Sequence, residues 1–159
     1  MNMWKEVAFA ASLTAASLLS IGKGYAHEIK IGEIVIEHPW AREAPMAAGV
    51  MAGFMKIKNE GKTDDRLIKA TLELAPKVQL HDMKMEGDVM KMFELPGGIA
   101  IPAGKTVELK PKSLHVMFMD MTEHPKQGAE IKGTLVFEKA GTVSIDYEVK
   151  APDAGMNMN

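Results

Sequence analysis

Two histidines and a run of methionines between residues 81 and 121 are the side chains of this chain best suited to chemistry. The stretch reads HDMKMEGDVMKMFELPGGIAIPAGKTVELKPKSLHVMFMDM and holds two of the five histidines and seven of the fourteen methionines. His81 is followed after ten intervening residues by Met92, and His115 and Met117 stand two apart. In an extended strand, side chains at i and i+2 point to the same face, so His115 and Met117 can hold one object between them. Thioether and imidazole together suit copper(I), a soft cation, better than a hard, oxygen-seeking one.

Methionine in a β-rich chain is ordinarily core filler, and strand parity separates that use from any other. Over residues 114–121, Leu114, Val116 and Phe118 share one face and suffice as a core face, which leaves His115, Met117, Met119 and Met121 on the other. Over residues 78–85, Val78 and Leu80 point inward, while Gln79, His81, Met83 and Met85 face the opposite way. Met83, Met85, Met90 and Met119 are open to three uses: shielding a metal from water, widening the site into a transfer path, or packing. His38, beside Pro39 and Trp40, reads as structural or as outer support for a site. His124 is a loop residue before Pro125, and Met156 and Met158 lie in a short C-terminal tail without histidine.

The elements that must position these groups are strands. From Glu28 onward the apolar pattern has period two and is punctuated by turn residues, the signature of an antiparallel β protein. Ile29 and Ile31 share one parity and Ile34 and Ile36 the other, which places a turn or bulge at Gly32. After His38-Pro39-Trp40 a proline-containing link is expected to about residue 48, then strands over 50–58, 67–74, 78–85, 89–95, 106–109, 114–121, 129–138 and 142–149. Gly87-Asp88 should close a hairpin between residues 78–85 and 89–95. Nothing in the chain has the pattern of a long, capped amphipathic helix. Many short strands separated by glycine and proline turns imply a single-domain β-sandwich or barrel.

Residues 1–26 have the features of a signal peptide: Lys5 near the start, an apolar run over 7–21, and Gly24-Tyr25-Ala26 as a small-residue cleavage site. Cleavage after Ala26 would make His27 the first residue, whose amine and imidazole could together bind copper(II). The remainder is read as one domain over 27–150 and a flexible tail over 151–159, with no further segment apolar enough to span a membrane. The formal net charge is −2, so no basic surface argues for nucleic acid or an anionic membrane. Cysteine is absent. That excludes disulfides, thiol catalysis and a blue-copper electron-transfer centre, which needs a thiolate ligand.

Several blocks in order give the chain a family resemblance. HPWAREAP at 38–45, AGFMKIKN at 52–59, DDRL at 64–67, GGIAIPAG at 97–104 and LKPKSLHVMFM at 109–119, together with the His81, Met92, His115, Met117 spacing, resemble the periplasmic copper chaperones called PCu(A)C. The resemblance implies a cupredoxin-like Greek-key fold and carries the ligand role onto His81, Met92, His115 and Met117. Two departures stand out: Lys112 and Ser113 occupy positions where the family's turn has glycines, and 22 residues separate Met92 from His115.

The function the resemblance implies is a non-enzymatic, monomeric, periplasmic copper(I) carrier. It would supply the CuA centre of cytochrome c oxidase, directly or through a thiol-bearing assembly factor. Periplasmic sequestration of copper or silver for metal tolerance would use the same ligands, and a structural β-sandwich with incidental methionines would bind no metal tightly. Catalysis is poorly supported. Residues 27–159 contain only Ser113 and Ser144 as serine nucleophiles, with no third group to orient His115 as a base.

Overall fold

The computed structural model describes residues 28–45 and 47–156. The expected leader over 1–26, its cleavage point, His27 and Met158 lie outside the described residues. Eleven strands follow in order: β1 (Glu28–Ile31), β2 (Ile34–Arg42), β3 (Val50–Asn59), β4 (Asp65–Leu72), β5 (Lys77–Glu86), β6 (Val89–Glu94), β7 (Ile99–Ile101), β8 (Thr106–Leu109), β9 (His115–Met119), β10 (Glu130–Phe137) and β11 (Gly141–Lys150). Among the described residues there is no helix.

The phase change at Gly32 is a two-residue turn that pairs Ile31 with Ile34, and Gly32 takes a positive φ of 54°. β2 continues through His38-Pro39-Trp40 to Arg42, so the link expected after Trp40 begins two residues later. The strand passes through His38-Pro39 by a register shift between Glu37 and Trp40, with His38 at φ 53°. A bulge is where a strand accommodates a proline, which has no N–H to give to the ladder.

The hydrogen-bonded order is β6-β5-β9-β3-β2-β11-β10-β4-β7, with β1 also on β2 and β8 also on β3. Among the described residues only the β2–β11 pairing is parallel. β2 and β3 each change neighbours halfway along. The first part of β2 pairs with β1 and its last residues with β11; the first part of β3 pairs with β9 and the rest with β8. Long strands that pass from one set of neighbours to another let the ladder turn back and enclose a core. That core includes Ile36, Met55, Ile57, Leu67, Leu135 and Tyr147.

Parity places Val116 and Phe118 in the core, as their pattern implies. Met121 does not continue the stripe of its strand. Asp120 adopts φ 54°, the alternation breaks there, and Met121 turns into the core. Residues 151–156 form turns rather than trailing away: Arg42 Nη2 donates to Ala154 O at 3.0 Å, and Gly155 lies against Trp40 and Pro111.

Candidate metal centre

β6, β5 and β9 lie side by side at one end of the ladder, and their register builds the site. His81 stands opposite His115 across β5 and β9, Gln79 opposite Met117, and Ala52 of β3 opposite Met117 on its other side. Across β5 and β6, His81 stands opposite Glu94 and Met83 opposite Met92. Directly opposed residues in an antiparallel pair project to the same face. These side chains therefore share the face away from Leu80, Val116 and Phe118.

Both imidazoles are buried although they lie on this outer face, His81 at 5% and His115 at 4% exposure. Their ring centroids are 5.6 Å apart. Phe54 supports His115 from one side at 6.4 Å between centroids and is itself stacked on Trp40 at 4.6 Å. Met92 lies over the pair and remains 47% exposed, with its sulfur 3.1 Å from His115 Nε2. Met117 stands on the same face two residues from His115 and half-buried between β5 and β3.

The hydrogen bonds determine which ring nitrogens are free. His115 Nδ1–H donates to the Ser113 carbonyl at 2.8 Å, which leaves the Nε2 lone pair facing the Met92 sulfur. His81 Nε2–H donates to Gln79 Oε1 at 2.9 Å. His81 Nδ1 is then a lone-pair nitrogen, buried and without a hydrogen-bond partner. A buried polar atom left unpaired costs about 1–3 kcal/mol, and a cation held there would recover it. The bonds made by the second nitrogen of each ring are the kind that orient an imidazole ligand.

Burial lowers the proton affinity of His81, the neighbouring His115 lowers it further, and Glu94 opposes both. The neutral imidazole is the form whose lone pair can bind a metal. His115 is further held by a tight turn in which Lys110 N donates to Leu114 O at 3.0 Å and Ser113 N to Lys110 O at 3.1 Å. Lys112, where the family pattern leads one to expect glycine, sits in that turn at φ 66°, the left-handed conformation that glycine adopts freely.

The structure thus gathers His81, His115 and Met92 and sets Met117 on the same face. His38 is exposed and lines a separate cleft of about 230 Å³ with Trp40, Pro111 and Lys150. Gln79 and Glu94 were less legible as site neighbours. Gln79 shares His81's parity, but Glu94 enters only through the hairpin register. Among the described residues no group of three or more His, Cys, Asp or Glu side chains could hold a metal. Soft thioether and neutral imidazole donors are what this face offers, and that set favours a soft monovalent cation.

An all-β, cupredoxin-like domain with histidine and methionine donors on one outer face defines the class. The chain belongs to the family described as "Putative lipoprotein LpqE-like", which matches residues 34–149 and is the PCu(A)C family. A curated relative, a "Putative lipoprotein" of Leifsonia xyli subsp. xyli, is 30% identical over 117 residues, 74% of this chain and 69% of that relative. Among solved structures, the copper-bound PCuAC domain from PmoF2 superposes with a TM-score of 0.68 at 32% identity, covering 79% of this chain and 99% of that one. The apo PCuAC domain from PmoF1 gives a TM-score of 0.68 at 28% identity, covering 79% and 100%. Apo-DR1885 from Deinococcus radiodurans, at 20% identity and a TM-score of 0.59 over 95% and 97% of the two chains, shares the fold.

Proposed function

We propose that this protein is a copper carrier that binds one copper(I) ion through His81, Met92, His115 and Met117 and hands it on without catalysing a reaction. The observation that carries this reading is the pair of opposed, buried imidazoles under an exposed thioether, with His81 Nδ1 unpartnered and His115 Nε2 facing the Met92 sulfur. Membership of the PCu(A)C family and likeness to a copper-bound PCuAC domain support copper as the cargo. Four neutral ligands leave the bound ion its single positive charge, and no thiolate bond has to break on release. Met92, the most exposed of the three converging donors, is the first ligand to exchange when a recipient approaches.

The setting consistent with a leader cleaved after Ala26 is the periplasm, with the domain acting as a monomer. The recipient is the CuA site of cytochrome c oxidase or a thiol-bearing factor that assembles it. X-ray absorption of the protein loaded with copper(I) tests the site. A mixed nitrogen and sulfur shell that loses part of both components in a His81→Ala, Met92→Leu double variant supports it. A wild-type shell of nitrogen and oxygen alone refutes it. A deletion strain tests delivery: oxidase activity that is lost and then restored by added copper supports it. Copper sensitivity with normal respiration assigns the protein to sequestration instead.

A further inference from the structure

The hairpin of β5 and β6 carries more thioethers than the proposed site uses. Its register sets Met83 opposite Met92 and, one step nearer the tip, Met85 opposite Met90. All four share the face of His81, so they form a two-by-two array running from the imidazoles to the turn at Gly87-Asp88. Packing does not explain them. β6 is an edge strand, and Met85, Met90 and Met92 are 56%, 38% and 47% exposed. The opposite face of the hairpin is built differently, with Lys84 opposed to Lys91, both paired to Glu86, and Lys84 also over the Phe93 ring. The charges of Lys84, Lys91 and Glu86 lie on that face and the four thioethers on the other, where Glu94 stands beside His81 at the imidazole end.

Directly opposed residues have Cβ atoms about 4.5–5.5 Å apart, and methionine has enough rotatable bonds for its sulfur to meet that of its partner. We infer that Met83, Met85 and Met90 form a thioether-only station for copper(I) at the exposed end of the hairpin. It shares Met92 with the histidine site, and the ion enters and leaves through it. The inference rests on the copper-carrier reading and adds the route. Copper stays in the +1 state throughout. In each step one copper–sulfur bond forms as one copper–nitrogen or copper–sulfur bond breaks, so no electron or proton is exchanged. Because Met92 contacts His115 Nε2 and is paired with Met83, it is the one sulfur placed to belong to both sets. Splitting release into such steps replaces one high barrier by lower ones.

The test is an anaerobic copper(I) titration of the protein carrying ¹³C-methyl methionine and ¹⁵N histidine, followed by stopped-flow transfer of copper(I) to bicinchoninate. The expected result is that the first equivalent shifts His81, His115 and Met92, and that excess copper(I) shifts the Met83, Met85 and Met90 methyls. In a Met83→Leu, Met85→Leu, Met90→Leu variant, copper affinity should stay within about threefold of wild type, as for exposed substitutions. Its transfer should be about tenfold slower, the loss of a low-barrier route. Methyls that do not respond to copper(I), or a leucine variant that transfers as fast as wild type, overturn the station. If the histidines respond while the three methyls do not, the station alone fails and the methionines are an apolar contact surface for a protein partner. If the histidines do not respond either, the copper-carrier reading fails with it.

Discussion

Gly53 is the position at which the support of the candidate site can be disturbed without touching a donor. It lies on β3, paired with Val116 of β9 on one side and Ala41 of β2 on the other. A Cβ built there falls 2.8 Å and 2.9 Å from Phe118 Cζ and Cε2 and 3.0 Å from Tyr147 Cε1. Those two rings are fully buried and packed edge to face at 5.2 Å, so neither can swing away. Overpacking of this kind costs about 1–3 kcal/mol. Removing glycine's extra freedom in the unfolded chain returns about 0.5–1 kcal/mol. Gly53→Ala should therefore destabilise the fold by roughly 1–2 kcal/mol, a drop of about 1 M in the urea midpoint for a domain of this size. The shortest contacts are with Phe118 of β9, the strand that carries His115, so copper(I) affinity should fall along with stability. A double-mutant cycle with Phe118→Leu checks the cause, because the smaller side chain makes room for the new methyl. A favourable coupling of about 1 kcal/mol is expected. An unchanged urea midpoint for Gly53→Ala, or zero coupling to Phe118, would refute the reasoning.

Three further predictions concern the site and its turn. Met92→Leu keeps an apolar side chain but removes the sulfur facing His115. Apo stability should change by no more than about 0.5 kcal/mol, while copper(I) affinity measured by chelator competition should fall by more than the roughly 10- to 100-fold typical of an outer-shell partner. His81 has a lowered folded-state proton affinity, so between that value and its ordinary 6.5 the unfolded chain binds more protons than the folded one. Stability should accordingly be level above pH 6.5 and fall as pH drops below it, copper(I) affinity should fall only as pH approaches the lowered folded-state value, and His81→Gln should flatten the stability profile. Urea titrations across pH, read beside the NMR titration of the ring, would show a slope of the opposite sign if the account were wrong. Lys112→Gly relieves a left-handed lysine worth about 1–2 kcal/mol at a cost in unfolded-chain entropy of about 0.5–1 kcal/mol. A small gain in urea midpoint is expected, and a loss would mean that the lysine side chain makes up for its backbone.

Much of the local structure was legible because strand alternation is written in neighbouring residues. Val116 and Phe118 against His115 and Met117, Leu80 against His81, the turn at Gly32 and the hairpin at Gly87-Asp88 all follow from period two and turn chemistry. The exceptions are residues whose backbone leaves that regime. His38 at φ 53° carries β2 through a proline by a bulge, and Asp120 at φ 54° sends Met121 into the core. Histidine and aspartate tolerate positive φ better than most residues, but it is uncommon even for them, so the residue type alone does not mark these two positions. The short strand β7 and the docking of residues 151–156 on Trp40 likewise depend on surfaces supplied by distant parts of the chain.

What the sequence determined by itself is the inventory and its parity: two imidazoles and several thioethers on the non-core faces of strands, in a chain without cysteine. What only the tertiary structure decided is register. His81 and His115 are separated by a hairpin, two more strands and their turns, and no local pattern says which residue of β9 stands opposite which residue of β5. That choice is made by Leu80, Val116 and Phe118 settling into a core shared with β3 and β11. A slip of one residue would turn every donor to the wrong face. The same register leaves His81 Nδ1 buried without a partner and brings the Met92 sulfur to His115, features that arise from the assembled sheet because they belong to pairs of residues and to no single strand.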